Sequence, residues 1–247
     1  MLHSMTIESF NKYNDGSFKS YEDFCKYAEE NDLFTDCFFV DEGNIINRIW
    51  YIENFITYPM HNVSKQFMNM FNFCEMIHQR RNYVEKLKKD NNYEGLFSIV
   101  DKCFRISYFV ELYPYIPNEQ FVDVFTLVYS LCEYNFDMLL TDDVLNKLRK
   151  LKPNFTKQQL IDKGAEITDN VVTIYRGEAD KSTNYKDGAL SWTLNYDMAI
   201  FFANRFSARN PKLYKAQVNI DNILLYIDRE EEVLVEAKDL IDVKLIN

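Results

Sequence analysis

Three successive glutamates, Glu230-Glu231-Glu232, stand directly before a β-branched apolar segment near the C-terminal end of the sequence. Because side chains alternate across a strand, we expect Glu230 and Glu232 on one face and Glu231 on the other. Like charges this close repel one another, so stability gives no reason for the arrangement. Carboxylates placed together can instead stabilise a developing positive charge or take up a proton.

Two upstream segments carry complementary groups. Arg176, in Tyr175-Arg176-Gly177, ends a β-branched segment, and its planar guanidinium can hold phosphate oxygens in a bidentate manner. Ser191, in Leu190-Ser191-Trp192-Thr193, adds a hydroxyl. In isolation Arg176 would be explained by an ion pair at a strand end, and Ser191 by a buried hydroxyl bonded to backbone.

Taken together and in this order, the three segments resemble the motifs of the ADP-ribosyltransferase superfamily, in its arginine–serine–glutamate branch. The family pattern is an aromatic-Arg pair on a first strand, a Ser-Thr-Ser-like strand, and Glu-x-Glu before an apolar strand. Trp192 replaces the central Thr of the second motif, whereas the outer hydroxyl at Ser191 is present. The resemblance covers residues 170–247. It implies an enzyme that uses NAD as a co-substrate and needs no metal.

The resemblance also implies catalytic roles. Breaking the nicotinamide–ribose bond of NAD passes through an oxocarbenium-like centre, as in glycoside hydrolysis, and Glu232 is the candidate to stabilise it. Ser191 would hydrogen-bond Glu232 and hold its rotamer. Glu230 would orient or deprotonate the incoming nucleophile.

The implied NAD-binding residues are Arg176, Gly177, Ser191 and Thr193. Arg176 would contact the diphosphate, and Gly177 would let the backbone approach the nicotinamide amide closely. Four aromatic side chains are further candidates to stack on nicotinamide: Phe202, Phe206, Trp192 and Tyr226.

The elements that would position these residues follow from local patterns. Thr156-Lys157-Gln158-Gln159 is a capping box that predicts a helix over 157–163, with Gly164 as its C-terminal glycine. Apolar residues at helical spacing predict a second helix over 195–208. Strands are predicted over 171–176, 189–193, 213–218, 223–227, 232–235 and 240–246. Most connections are too short for parallel crossovers, which favours a mainly antiparallel sheet.

The first 150 residues are predicted to be helical. The expected helices cover 21–30, 44–57, 63–88, 93–112, 118–135 and 144–151, the last stopped by Pro153. The overall prediction is an α+β protein: a helical domain at 1–152 that supports the enzyme or binds a target or inhibitor, and a β-rich ADP-ribosyltransferase-like catalytic domain at 153–247.

Composition limits the partners. With 28 Lys and Arg against 38 Asp and Glu, the net charge is −10, which disfavours general binding to phosphate backbones. The five cysteines form no CxxC motif and are odd in number, so they predict neither a zinc site nor a complete disulfide framework. Without a signal-peptide pattern or a long apolar run, a cytoplasmic protein with no membrane partner is expected.

The acceptor of ADP-ribose stays open at this point. In the family that the chain resembles, Glu-x-Glu goes with modification of protein arginine, while relatives that modify RNA or DNA bases act in phage defence. An intracellular toxin or an effector of phage or bacterial conflict is expected, and such a toxin would need an antitoxin or inhibitor protein. The alternative from another class is an NAD-binding module without transferase activity.

Overall fold

A computed structural model describes residues 2–44, 46–132, 136–151, 154–180 and 182–246. The chain is α+β with antiparallel sheets, and it divides into two compact units, Met1–Leu139 and Leu140–Asn247. No helix within the described ranges combines the length and apolar character needed to cross a bilayer.

The division between the units falls earlier than the predicted boundary after residue 152. The reason is the helix Asp142–Lys150, which belongs to the second unit, where Arg149 forms an ion pair with Glu236. The predicted stop at Pro153 and the end of the predicted helix at 133–135 lie outside the described residues.

The first unit contains both helices and strands. Its α-helices are α1 Ile7–Tyr13, α2 Tyr21–Glu30, α3 Lys65–Met70, α4 Phe73–Lys89, α5 Tyr93–Ile99, α6 Arg105–Leu112, α7 Asn118–Leu131 and α8 Phe136–Leu139. Its strands are β1 Leu2–Ser4, β2 Phe38–Asp41, β3 Ile49–Glu53 and β4 Ile56–Met60, which form an antiparallel sheet in that order. The prediction of an all-helical first domain is therefore wrong.

The predicted helix over 44–57 is replaced by the hairpin of β3 and β4. Ile49 and Tyr51 are buried while the residues between and after them are partly exposed, which is the two-residue period of a strand. Asn54 and Phe55 form the two-residue turn with φ values of 51° and 60°. Positive φ at both positions matches the right-handed twist of the hairpin.

The predicted helix over 63–88 is broken between α3 and α4. Asn72 adopts the left-handed conformation, with φ 49° and ψ 40°, so the two helices change direction there. Asn tolerates this conformation better than most residues. The predicted helix over 93–112 is likewise divided, because Val100 is extended between α5 and a 3₁₀ turn before α6.

The second unit holds the residues of the candidate site. Its helices are α9 Asp142–Lys150, α10 Lys157–Asp162 and α11 Tyr196–Ala203. Its strands are β5 Ile167–Thr168, β6 Val171–Glu178, β7 Ser191–Thr193, β8 Lys212–Asn219, β9 Leu225–Ile227, β10 Glu232–Leu234 and β11 Leu240–Leu245. They form one antiparallel sheet in the order β11-β8-β6-β7-β10-β9, with β5 paired to β6. The predicted antiparallel arrangement is confirmed.

One face of this sheet carries the apolar core of the unit. Val172 and Ile174 from β6, Trp192 from β7 and Val233 from β10 are almost fully buried within it. The predicted capping box at Thr156 is also confirmed, since its hydroxyl accepts the N–H of the third helical residue while that residue's side chain binds back.

Helix α11 is shorter than the predicted helix over 195–208. It ends at Ala203, and a 3₁₀ turn at Arg205–Ser207 follows. Within that turn Phe206 has a positive φ of 56°, which interrupts the helical path.

Candidate active site

The three motifs found in the sequence meet on adjacent strands. Tyr175 of β6 pairs directly with Thr193 of β7, which pairs in turn with Glu232 of β10. Directly opposed residues point to the same face of a sheet, so these three side chains form a row. Ser191 lies two residues from Thr193 and shares that face.

Glu232 is the carboxylate at the centre of the site. It begins β10, is partly buried, and accepts a hydrogen bond from the Ser191 side chain. Burial raises the pKa of Glu232 to about 7, a shift that the Ser191 hydrogen bond and the charge of Arg176 oppose and the charge of Glu230 supports. The sequence-based expectation that Ser191 and Glu232 interact is consistent with this arrangement. A carboxyl group with this pKa changes protonation state close to neutral pH.

Glu230 lies near Glu232, but the two residues are not on the same strand, contrary to expectation. Glu230 ends a 3₁₀ turn and Glu231 adopts the left-handed conformation, so the two residues precede the strand instead of alternating along it. The expectation that Glu230 and Glu232 share a strand face is therefore wrong. Their proximity persists, because the charge of Glu230 contributes to the raised pKa of Glu232.

Thr193 positions this turn. Its buried hydroxyl donates to the carbonyl of Glu230 at 2.9 Å and accepts the N–H of Asn195 at 3.1 Å. The N–H of Leu194 donates to the carbonyl of Glu231 at 2.9 Å. A contact between Thr193 and NAD stays a prediction, and the hydrogen bonds of Thr193 assign it a role in holding Glu230.

Arg176 lies in a buried hydrogen-bond network. Its Nε donates to Glu178 at 3.0 Å, and its two Nη atoms donate to the carbonyls of Ser191 at 2.5 Å and Thr183 at 2.6 Å. The guanidinium therefore links β6 to β7 at the residue that binds Glu232. Two of its five N–H groups have no acceptor among the described residues. The predicted contact with a diphosphate depends on those two groups.

Glu178 is a site residue that the sequence analysis missed. It is 4% exposed and pairs with Arg176, and its carboxylate also accepts the side-chain amide of Asn184 at 3.1 Å and the N–H of Tyr185 at 3.0 Å. The predicted strand ended at Arg176, whereas β6 continues to Glu178, so the two residues are two apart on one strand and share a face.

Gly177 is required by packing. A Cβ built on this residue would fall 1.9 Å from the carbonyl oxygen of Ala199 and 2.4 Å from the nitrogen of Ala203, both in α11. The missing side chain lets the helix backbone lie against β6, which differs from the expected role of Gly177 in approach to nicotinamide.

The four candidate aromatic residues fall into two groups. Trp192 and Tyr226 are 2% and 7% exposed in the apolar core of the unit, so the suggestion that they stack on a ligand is wrong. Phe206 is 90% exposed, and the guanidinium of Arg205 lies 5.2 Å from its ring and 5.0 Å from that of Phe202. An aromatic and cationic surface suited to a planar or anionic ligand therefore follows α11.

Comparison with known proteins adds no relative, since no protein-family profile, curated protein or solved structure matches the chain. Within the described residues, no group of three or more His, Cys, Asp or Glu side chains is placed to hold a metal ion.

Proposed function

We propose that the chain is an NAD-dependent mono-ADP-ribosyltransferase that modifies a macromolecule, with protein arginine as the favoured acceptor. The observation that supports this most is the contact of Glu232 with Ser191 beside the Arg176 guanidinium. Motifs that are far apart in the sequence supply these groups, so local strand formation alone does not explain their meeting.

NAD would supply a labile nicotinamide–ribose bond. Glu232 is the residue that would stabilise positive charge developing on the ribose when that bond breaks, and it does so in its ionised form. Ser191 holds the rotamer of the Glu232 carboxylate. Arg176, with its two remaining N–H groups, is the candidate for the diphosphate, and exposed Phe206 is the candidate for the nicotinamide ring.

Glu230 would serve the acceptor. Its side chain is 34% exposed, which leaves it accessible to an incoming group, and the turn held by Thr193 places it beside Glu232. A carboxylate here can orient a nucleophile and accept its proton. Water can capture the ribosyl group without that help.

The decisive experiment measures nicotinamide release and acceptor labelling on two single variants side by side. Removing one electrostatic group of this kind costs about 10²–10³ in rate, so Glu232→Gln should lose both activities by at least that factor. Glu230→Gln should lose transfer and keep much of the NAD hydrolysis. Asp169→Asn is the matched control, an exposed acidic residue remote from the pairing of β7 with β10.

Two outcomes would contradict the proposal. Stabilisation of the wild-type protein by NAD without nicotinamide release would instead identify an NAD-binding module. Full activity of Glu232→Gln would remove Glu232 from the mechanism.

The acceptor class is tested separately by labelling a cell lysate with radioactive NAD and digesting it with protease or nuclease. Loss of label with nuclease alone would show that the acceptor is a nucleic-acid base and not protein arginine.

A further inference from the structure

A groove of about 260 Å³ lies beside the candidate active site. Its lining includes Lys163, Glu166, Thr173, Tyr175, Tyr196 and Glu231. Tyr175 belongs to the row of side chains that runs through Thr193 to Glu232, so the groove opens on the sheet face that carries the catalytic candidate. Two strand spacings separate Tyr175 from Glu232, which is about 10 Å.

The charges in the groove favour a cation. Glu166 and Glu231 have no ion pair among the described residues, whereas Lys163 pairs with Asp228 at 2.7 Å. Lys215 places a second ammonium group 5.7 Å from the Tyr175 ring, so two cations lie beside three carboxylates, Asp228, Glu166 and Glu231, and one negative charge is in excess. A phosphate would be repelled here, and a lysine or arginine side chain would be attracted.

The floor and wall of the groove supply contacts that a long cationic side chain needs. Thr173 is 7% exposed, lines the groove, and its hydroxyl has no hydrogen-bond partner among the described residues. The rings of Tyr175 and Tyr196 meet edge to face, with centroids 5.3 Å apart. Aromatic rings of this kind can pack against the aliphatic part of a lysine or arginine and attract its charge.

Glu231 lies at the groove with a backbone conformation that residues other than glycine rarely adopt. Its φ and ψ are 49° and 38°, values that glycine or asparagine adopt at lower cost. The hydrogen bond from Leu194 to its carbonyl fixes the backbone there. Strain of this kind at a functional surface is consistent with a carboxylate that has a binding role.

We propose that this groove binds a lysine or arginine side chain of a polypeptide acceptor, about three residues from the residue that is modified. The inference rests on the proposed transferase function. An extended polypeptide advances about 3.3 Å per residue, so the distance of about 10 Å from Tyr175, whose ring would pack on the bound side chain, to Glu232 corresponds to about three residues. Glu166 and Glu231 would bind the charge, and Thr173 would accept one hydrogen bond.

The first test is binding without NAD. Three labelled peptides with one central arginine are compared. They differ only at the position three residues from that arginine, which is lysine, glutamine or glutamate, and all their other residues are uncharged. Surface ion pairs contribute modestly, so we expect the lysine peptide to bind about two- to five-fold more tightly than the glutamine peptide, and the glutamate peptide to bind most weakly. Glu166→Gln and Glu231→Gln should each reduce that preference, and the double variant should abolish it.

Asp169→Asn is the matched control, because Asp169 is also acidic and left-handed, with φ 49°, but does not line the groove. Equal binding of the three peptides to the wild-type protein would overturn the proposal. An unchanged lysine preference in the double variant would do so as well.

The second test separates this inference from the proposed function. With NAD present, nicotinamide release in the absence of peptide should be the same in Glu166→Gln, Glu231→Gln and wild type, while the preference for labelling the lysine peptide falls. Charge-dependent binding without any nicotinamide release would refute the transferase and leave the cation site intact. If nicotinamide is released and all three peptides are labelled equally, the transferase function is supported and the cation-binding role of the groove is refuted.

Discussion

Replacing Glu232 with glutamine should stabilise the protein, and increasingly so as the pH rises. Burial raises the pKa of Glu232 from its ordinary value of 4.5 to about 7 in the folded chain. Between these values the folded state holds a proton that the unfolded state has released, so the stability of the wild-type protein falls as the pH rises from 4.5 through 7. Glutamine keeps the shape of the protonated carboxyl group and has no charge to lose.

The magnitude follows from the size of the shift. Each pKa unit corresponds to about 1.4 kcal/mol, so the full effect is about 3 kcal/mol above a pH of about 7 and close to zero at a pH of about 4.5. For a unit of this size, that difference corresponds to roughly 10 °C or more in melting temperature. The ionised carboxylate that the proposed chemistry requires therefore lowers the stability of the second unit.

Tryptophan fluorescence can isolate the unfolding of this unit. The chain has two tryptophans, and in a Trp50→Phe background the buried Trp192 reports on the second unit alone. In that background, denaturant unfolding is followed between about pH 5 and 8.5 with glutamate at position 232 and with the substitution Glu232→Gln. Glu230→Gln serves as the control. It removes a charge that helps to raise the pKa of Glu232, so the pH range over which stability falls should end at a lower pH than in the protein with Glu230.

Two results would refute this reasoning. A stability difference between wild type and Glu232→Gln that is constant with pH would show that the pKa of Glu232 is not raised. A glutamine variant that is less stable at every pH would show that the ionised carboxylate contributes to the fold, as an acceptor for Ser191, more than its burial costs.

Three further predictions concern the residues around the carboxylate. Arg176→Met should lower the free energy of unfolding by about 3–5 kcal/mol because it leaves the Glu178 charge buried, and Arg176→Met/Glu178→Met should recover much of that loss in denaturant titrations. Gly177→Ala should cost about 3 kcal/mol through collision with α11, whereas Gly164→Ala, with open space but a φ of 84°, should cost about 1 kcal/mol. Thr193→Val should cost about 1–2 kcal/mol and reduce acceptor labelling more than nicotinamide release, since it frees the turn before β10; equal loss of both activities would contradict this role.

Local pattern was sufficient for much of the second unit. The β-branched segment over 171–176, the capping box at Thr156 and the short connections determine strands, a helix and antiparallel pairing through backbone preferences that act over a few residues. In the first unit the same rules misassigned residues 44–57. An aromatic and aliphatic segment suits either element, and pairing of β3 with β2 and β4, a long-range interaction, decides for strand.

Tertiary structure alone decided the properties on which the candidate chemistry depends. The sequence orders Arg176, Ser191 and Glu232 but does not show that Arg176 is bound by Glu178 or that Glu231 turns out of the strand into a groove. Nor does it show the raised pKa of Glu232. Each of these depends on which groups exclude water from a side chain and which charges lie beside it, and those neighbours come from segments distant in the sequence.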